Sequence, residues 1–158
     1  MKNQIEYQTG DLFSAAASHR ILVHACNCKG SWNAGIATQF QKRFPIAHKD
    51  YQTLCKKHGA ALLGMGVMHK RMDSTETPVG YLFTSWHYGK NKDSIDKILT
   101  NTKKSVKCLL SVLPKDMEIH SPKINAGLFG VPWKLTEKVI NEALQDYPNV
   151  KWVVWELE

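Results

Sequence analysis

Two stretches of this chain carry residue types whose spacing suits chemistry: Cys26-Asn27-Cys28-Lys29-Gly30-Ser31-Trp32-Asn33-Ala34-Gly35, preceded by His24, and Asn125-Ala126-Gly127-Leu128-Phe129-Gly130-Val131. Their glycines let backbone N–H groups come close to a ligand, and the positive end of a following helix favours phosphate. Either loop taken alone is equally well read as a pair of turns. His24 is the side chain placed for chemistry, because a histidine titrating near neutrality can position or protonate groups of a bound ligand. A satisfied core histidine at a strand end is the plain alternative. His24, Cys26 and Cys28 alternate, so a continuing strand would turn all three to one face, and His-x-Cys-x-Cys offers three zinc ligands. A fourth ligand at a usual spacing is missing, so the two cysteines are read as small residues packed under the loop and no metal site is expected. A cysteine nucleophile lacks an acid partner at a signature spacing.

The elements that must position these loops follow from apolar patterning. Residues 3 to 9 alternate weakly and end at Gly10-Asp11, a strand and a turn. Arg20 to Ala25 is a nearly continuous apolar run, which suits a strand buried on both faces. Ala34 to Phe44 spaces Ile36, Ala37, Phe40 and Phe44 as a helix that Pro45 stops, and a second helix from Ala47 to Lys57 closes at Gly59. Residues 64 to 70 and 79 to 85 are expected as strands joined by a polar turn around Asp73 to Pro78. From Ser94 to Leu113 one apolar stripe traces a helix, with Asp93 as its expected cap. After Pro114, residues 117 to 124 form a strand. Pro132 opens a helix to about Asp146, and residues 150 to 157 close as a strand. Strands and helices alternate throughout, which predicts a three-layer α/β domain. Both loops join a strand to a helix, where open α/β sheets bind ligands.

Length and composition set the bounds. The chain has 158 residues, a length that suits one domain, and 43% hydrophobic residues supply a core. With 21 Lys+Arg against 14 Asp+Glu the net charge is +7, which favours an anionic ligand, although no block of five like charges occurs. Four irregularly spaced cysteines are expected to be free thiols. No window approaches a membrane span and the N-terminus lacks an apolar signal core, so a soluble intracellular protein, cytoplasmic or nuclear, is expected.

The residues carry a resemblance to the macrodomain family, the ADP-ribose-binding α/β module. The cues are Gly10-Asp11-Leu12, His24-Ala25-Cys26-Asn27 followed by Gly35-Ile36-Ala37, and Ile124 to Trp133. The strings ILVHACNCKGSW, LFTS and INAGLFGVPW are similar to the yeast-type ADP-ribose 1''-phosphate phosphatase branch. The resemblance spans almost the whole chain and implies a single α/β/α sandwich with a mixed, roughly six-stranded sheet. It implies that Asp11 accepts a hydrogen bond from the adenine amino group, that the Leu12 backbone helps hold the ring, and that Asn27 bonds the distal ribose. Gly35 and Ile36 would lie against diphosphate and distal ribose. The amides of Gly127, Leu128, Phe129, Gly130 and Val131 would cradle the diphosphate, with the Phe129 ring on the distal sugar. Asn125 and Ser85 are carried over as binding residues too, while His87 and Lys90 after LFTS, and Asp50, are polar candidates with a merely solvated alternative.

The chain also departs from the family. Asn33-Ala34-Gly35 stands where many macrodomains have a run of glycines, and Ser85 and Phe129 stand where relatives that strip ADP-ribose from proteins have a lysine and an aspartate. What remains compatible is a water-mediated phosphatase reaction with the substrate phosphate held in line and His24, Asn27, Asn33 and His87 around it. The implied substrate is ADP-ribose 1''-phosphate, a by-product of tRNA splicing in that branch, and the product is ADP-ribose. No cofactor is expected, and a monomer is. An ADP-ribose reader or a hydrolase acting on ADP-ribosylated proteins is the alternative. Trp32, Trp86, Trp133, Trp152 and Trp155 beside basic residues also suit a single-stranded nucleic-acid binder. Against this, Trp152 and Trp155 belong to the closing strand and are expected in core or edge packing, so nucleic acid is not the expected partner, and Trp32 is the expected ligand-facing ring.

Overall fold

The computed structural model describes residues 3–70 and 76–157. Half of the turn expected around Asp73 to Pro78, residues 73–75, lies outside the described residues. Among the described residues six strands, β1 (Ile5–Thr9), β2 (Arg20–Asn27), β3 (Gly66–His69), β4 (Val79–Ser85), β5 (Glu118–Ser121) and β6 (Trp152–Glu156), form one sheet in the order β1-β6-β5-β2-β4-β3. All neighbours run parallel except β3 and β4, which are antiparallel, so the sheet is mixed. Among the described residues four α-helices accompany it: α1 (Ala37–Arg43), α2 (Pro45–His58), α3 (Ile95–Val112) and α4 (Trp133–Leu144).

The period of two along β2 explains the three layers. Ile21 and Val23 pack with Val106, Leu109 and Ile140 of α3 and α4, whereas Leu22 and Cys26 pack with Phe40, Tyr51 and Phe83 on the α1 and α2 side. All seven residues of β4 are buried, as a strand covered on both faces requires. The α3 stripe buries Ile98, Val106, Leu109 and Leu110, each contributing roughly 1.5 to 3 kcal/mol of apolar transfer. The helix lies so close to β3 that a Cβ on Gly66 would stand 2.1 Å from the Ser105 carbonyl oxygen, which no side chain permits.

Several boundaries differ from expectation for local reasons. The α1 helix starts at Ala37 rather than Ala34 because Gly35 takes φ +62°, outside the helical region. Pro45 both ends α1 and opens α2, since proline fits the first helical turn, where its missing N–H leaves no bond unmade. Pro132 lies just before the first residue of α4, which ends at Leu144. Ser94, not Asp93, caps α3: its hydroxyl accepts from the Lys97 amide at 3.3 Å, while the Asp93 carboxylate accepts from the Trp86 amide at 2.9 Å. Among the described residues no helix is long and apolar enough to cross a membrane.

Candidate functional site

The first loop leaves β2 at a register irregularity between Cys26 and Asn27. Asn27 turns its buried side chain back into the loop, where its oxygen accepts from the amides of Lys29 (2.9 Å) and Ser31 (3.4 Å) and from the Tyr51 hydroxyl (2.9 Å). Its amide nitrogen donates to the Ser31 carbonyl at 2.9 Å. Asn27 is therefore the organiser of the turn at 28–31, not a group standing open for a ribose. Beyond it Asn33, Ala34, Gly35 and Ile36 are exposed, and their backbone N–H groups find no partner among the described residues.

His24 and Trp32 belong to the core beneath this loop. The His24 ring is 1% exposed, stacks on Phe40 with centroids 4.0 Å apart, and meets the edge of Trp32 at 4.5 Å. Burial pushes its pKa down to about 3, so it is neutral at neutral pH. The expectation of His24 as an acid or positioning group at the ligand is corrected: no face of the ring is open to one. Trp32, expected to face a ligand, is 1% exposed and stacks on Tyr51 at 4.7 Å. Burial also pushes the Cys26, Cys28 and Cys55 thiols up, Cys28 to about 12, which leaves no thiolate for nucleophilic attack. Among the described residues no group of three His, Cys, Asp or Glu side chains is arranged to hold a metal ion.

The second loop is pinned at its stem. Asn125 takes φ +65°, and its side-chain oxygen accepts from the Thr84 hydroxyl at 3.0 Å while its amide nitrogen donates to Thr102 at 2.9 Å. Its carbonyl accepts from the Val131 amide at 2.9 Å, and the Gly130 amide donates to Gly127 at 3.0 Å. Two of the five amides expected to cradle a diphosphate are thus engaged within the loop. Those of Gly127, Leu128 and Phe129 have no internal partner among the described residues. The Asn125 side chain is spent on Thr84 and Thr102, so its expected ligand contact is corrected to support of the loop. Ser85 is likewise buried in a closed turn, donating to the His87 carbonyl at 2.8 Å and accepting from the Asp93 amide at 3.1 Å. His87 accepts from the Tyr88 amide at 2.8 Å, and Lys90 is exposed. Asp50 lies elsewhere, accepting from Tyr81 at 3.1 Å and facing His69 at 3.3 Å.

Between the end of the first loop and the ends of β1 and β6 opens a cavity of about 610 Å³. Asp11, Leu12, Gly35 and Ile36 line it, as do Trp155 of β6, Lys123 and Arg43. Its size suits a nucleotide-sized ligand. One Asp11 carboxylate oxygen accepts from the Phe13 amide at 3.0 Å, capping a short 3-10 turn and leaving the other oxygen unspent. A second cavity of about 520 Å³ lies at the amino end of β4, beside Arg43, Pro45, His69 and Val79. The larger one is at the carboxyl ends of the parallel strands, where this architecture places ligands. Trp155 is the lining residue the sequence reading assigned to core or edge packing. The signal for it was present, because an offset of three along a strand puts Trp155 on the face opposite Trp152.

Comparison with known proteins gives a consistent picture. A family profile described as Macro domain matches residues 23–140. The ADP-ribose 1''-phosphate phosphatase of Meyerozyma guilliermondii is 40% identical over 89% of this chain and 94% of its own length. The protein of the same name from Debaryomyces hansenii is 41% identical, covering 92% and 97%. Among solved structures, the macrodomain of Mycobacterium tuberculosis DarG superposes with a TM-score of 0.75 at 24% identity, covering 98% of each chain.

Proposed function

The chain belongs to the Macro domain family, and from that premise we propose that it hydrolyses ADP-ribose 1''-phosphate to ADP-ribose and phosphate. The observation that carries this reading is its likeness, at 40% and 41% identity over most of the chain, to fungal proteins named for that activity. The cavity adds a place for the substrate at the carboxyl ends of β1 and β6.

In this reading the unspent Asp11 oxygen takes the adenine amino group and Trp155 supplies a flat apolar wall. The free amides of Gly35, Ile36, Gly127, Leu128 and Phe129 receive the diphosphate, and the Phe129 ring covers the distal sugar. Peptide donors suit this task because they stabilise charge without introducing a buried charge of their own. Asn27 and Asn125 act one step back, by fixing the turns that present those amides. With the phosphomonoester held in line, water attacks phosphorus, the bond from phosphorus to the 1'' oxygen breaks, and that oxygen leaves to take up a proton. Asn33, exposed in the first loop, and His87, after β4, are the remaining side chains for orienting the water and carrying its proton. His24 holds α1 through Phe40 and takes no part in the proton transfer.

Phosphate release from ADP-ribose 1''-phosphate by the purified protein tests this, with ADP-ribose binding followed by calorimetry. Release that is lost in an Asn33→Ala, His87→Ala double variant still able to bind ADP-ribose upholds it. Binding with no release from the parent overturns it and leaves an ADP-ribose reader or a hydrolase of ADP-ribosylated proteins.

A further inference from the structure

A chain of side chains crosses three adjacent strands and ends in the cavity wall. Arg20 of β2 donates from Nε to Oε1 of Glu118 at 3.2 Å. The same oxygen lies 2.9 Å from Nε2 of His120, both residues being in β5. On the other side of the imidazole, Nε1 of Trp155 in β6 donates to Nδ1 of His120 at 2.9 Å. His120 is 4% exposed and lines neither of the two cavities described above, so it makes no ligand contact of its own in this cleft.

The partners fix its state. An indole N–H only donates, so Nδ1 must present a lone pair; an ionised carboxylate only accepts, so Nε2 must carry the hydrogen. One neutral tautomer satisfies both, and a second proton on Nδ1 would face the indole N–H. Burial favours the same neutral form.

We propose that His120 is a positioning residue for the base end of the cleft: clamped between Glu118 and Trp155, it fixes the plane of the indole against which a planar heterocycle packs. The inference rests on the reading that this cavity takes an adenine nucleotide. A tryptophan ring partly in contact with solvent has several rotamers open to it, and the hydrogen bond to His120 removes that freedom before the ligand arrives. The gain falls on binding, because the indole stands at the far end of the cleft from the bond that breaks.

The test compares the parent, His120→Leu, Trp155→Phe and the double variant, reading KM and kcat for ADP-ribose 1''-phosphate, Kd for ADP-ribose, and the near-ultraviolet circular dichroism of the indoles. His120→Leu is expected to raise KM and Kd about three- to tenfold, the range of an aromatic contact, with kcat within about twofold. In the Trp155→Phe background, where no N–H remains to be held, the same substitution is expected to change Kd by less than about 1.5-fold. His120→Asn, whose amide oxygen takes the place of Nδ1, is expected to recover most of the affinity, and it carries the comparison against His120→Gln if the leucine variant does not fold. Equal effects in both backgrounds, or an unchanged Kd in His120→Leu, overturn the proposal. If the parent neither binds ADP-ribose nor releases phosphate, the functional reading fails by itself. The positioning role then stands on the indole band, which His120→Leu is expected to collapse and His120→Asn to retain; a band equal in all variants overturns it.

Discussion

Gly35 and Leu128 bring the two loops together beside the cleft: a Cβ on Gly35 would stand 3.4 Å from Cδ1 of Leu128. Gly35 also sits at φ +62°, where a β-branched residue is strained. Gly35→Val is therefore expected to weaken ADP-ribose binding at least about tenfold while costing roughly 1 to 3 kcal/mol of stability. Calorimetry and thermal melts separate the two effects. Leu128→Ala, which only trims an exposed side chain, is expected to leave stability within about 0.5 kcal/mol.

Asn125 joins the backbone and the core at one point. Asn125→Ala loses the bonds to Thr84 and Thr102 and places an alanine at positive φ. A loss of about 2 to 4 kcal/mol in urea unfolding is expected, with binding lost too. Asn125→Gly keeps the backbone conformation and removes only the side-chain bonds, so its cost is expected to be the smaller of the two.

The stability of the fold should depend on pH through His24. Its folded pKa is depressed to about 3 from an ordinary value near 6.5. Below 6.5 the unfolded chain takes a proton that the folded chain refuses, so the stabilisation present above that pH drains away as pH falls towards about 3. His120, also lowered by burial, acts in the same direction. His24→Phe is expected to flatten the stability profile by a few kcal/mol across this window in urea titrations, while phosphate release persists. A variant that folds but releases no phosphate would return His24 to the chemistry.

Asp11 is expected to separate local capping from recognition. Asp11→Asn keeps an oxygen for the Phe13 amide, so stability should hold while ADP-ribose affinity falls several-fold. Asp11→Ala should lose affinity and, in addition, about 1 kcal/mol of stability, the usual worth of a cap. Thermal melts and calorimetry on both variants check this.

Much of the fold was legible because burial leaves a pattern. The apolar runs of β2 and β4 and the stripe on α3 each point to one element, and their alternation to one architecture. Two glycines and an aspartate of the cavity were readable as turn chemistry after strands. The direction of a polar side chain was not. Asn27 and Asn125 stand in loops rich in ligand-type residues, yet both amides turn inward, and an asparagine that satisfies its neighbours has the same letter as one that waits for a sugar. His24 and Trp32 failed for a related reason: their burial comes from Phe40 and Tyr51, residues of later helices, and no local spacing announces that cover. Trp155 was missed although its strand parity placed it opposite Trp152.

The open amides of the second loop belong to the main chain, so what secures them is the pair of conformations at Asn125 and Gly130 and the bonds that pin the stem. The letters between those two points can change, to anything but proline, without any donor being lost. Over evolutionary time the side chains of such a loop can change while its main-chain donors stay in place, which makes positions 127 to 129, Phe129 with its ring on the distal sugar above all, the natural ground for retuning which group on that sugar the protein accepts.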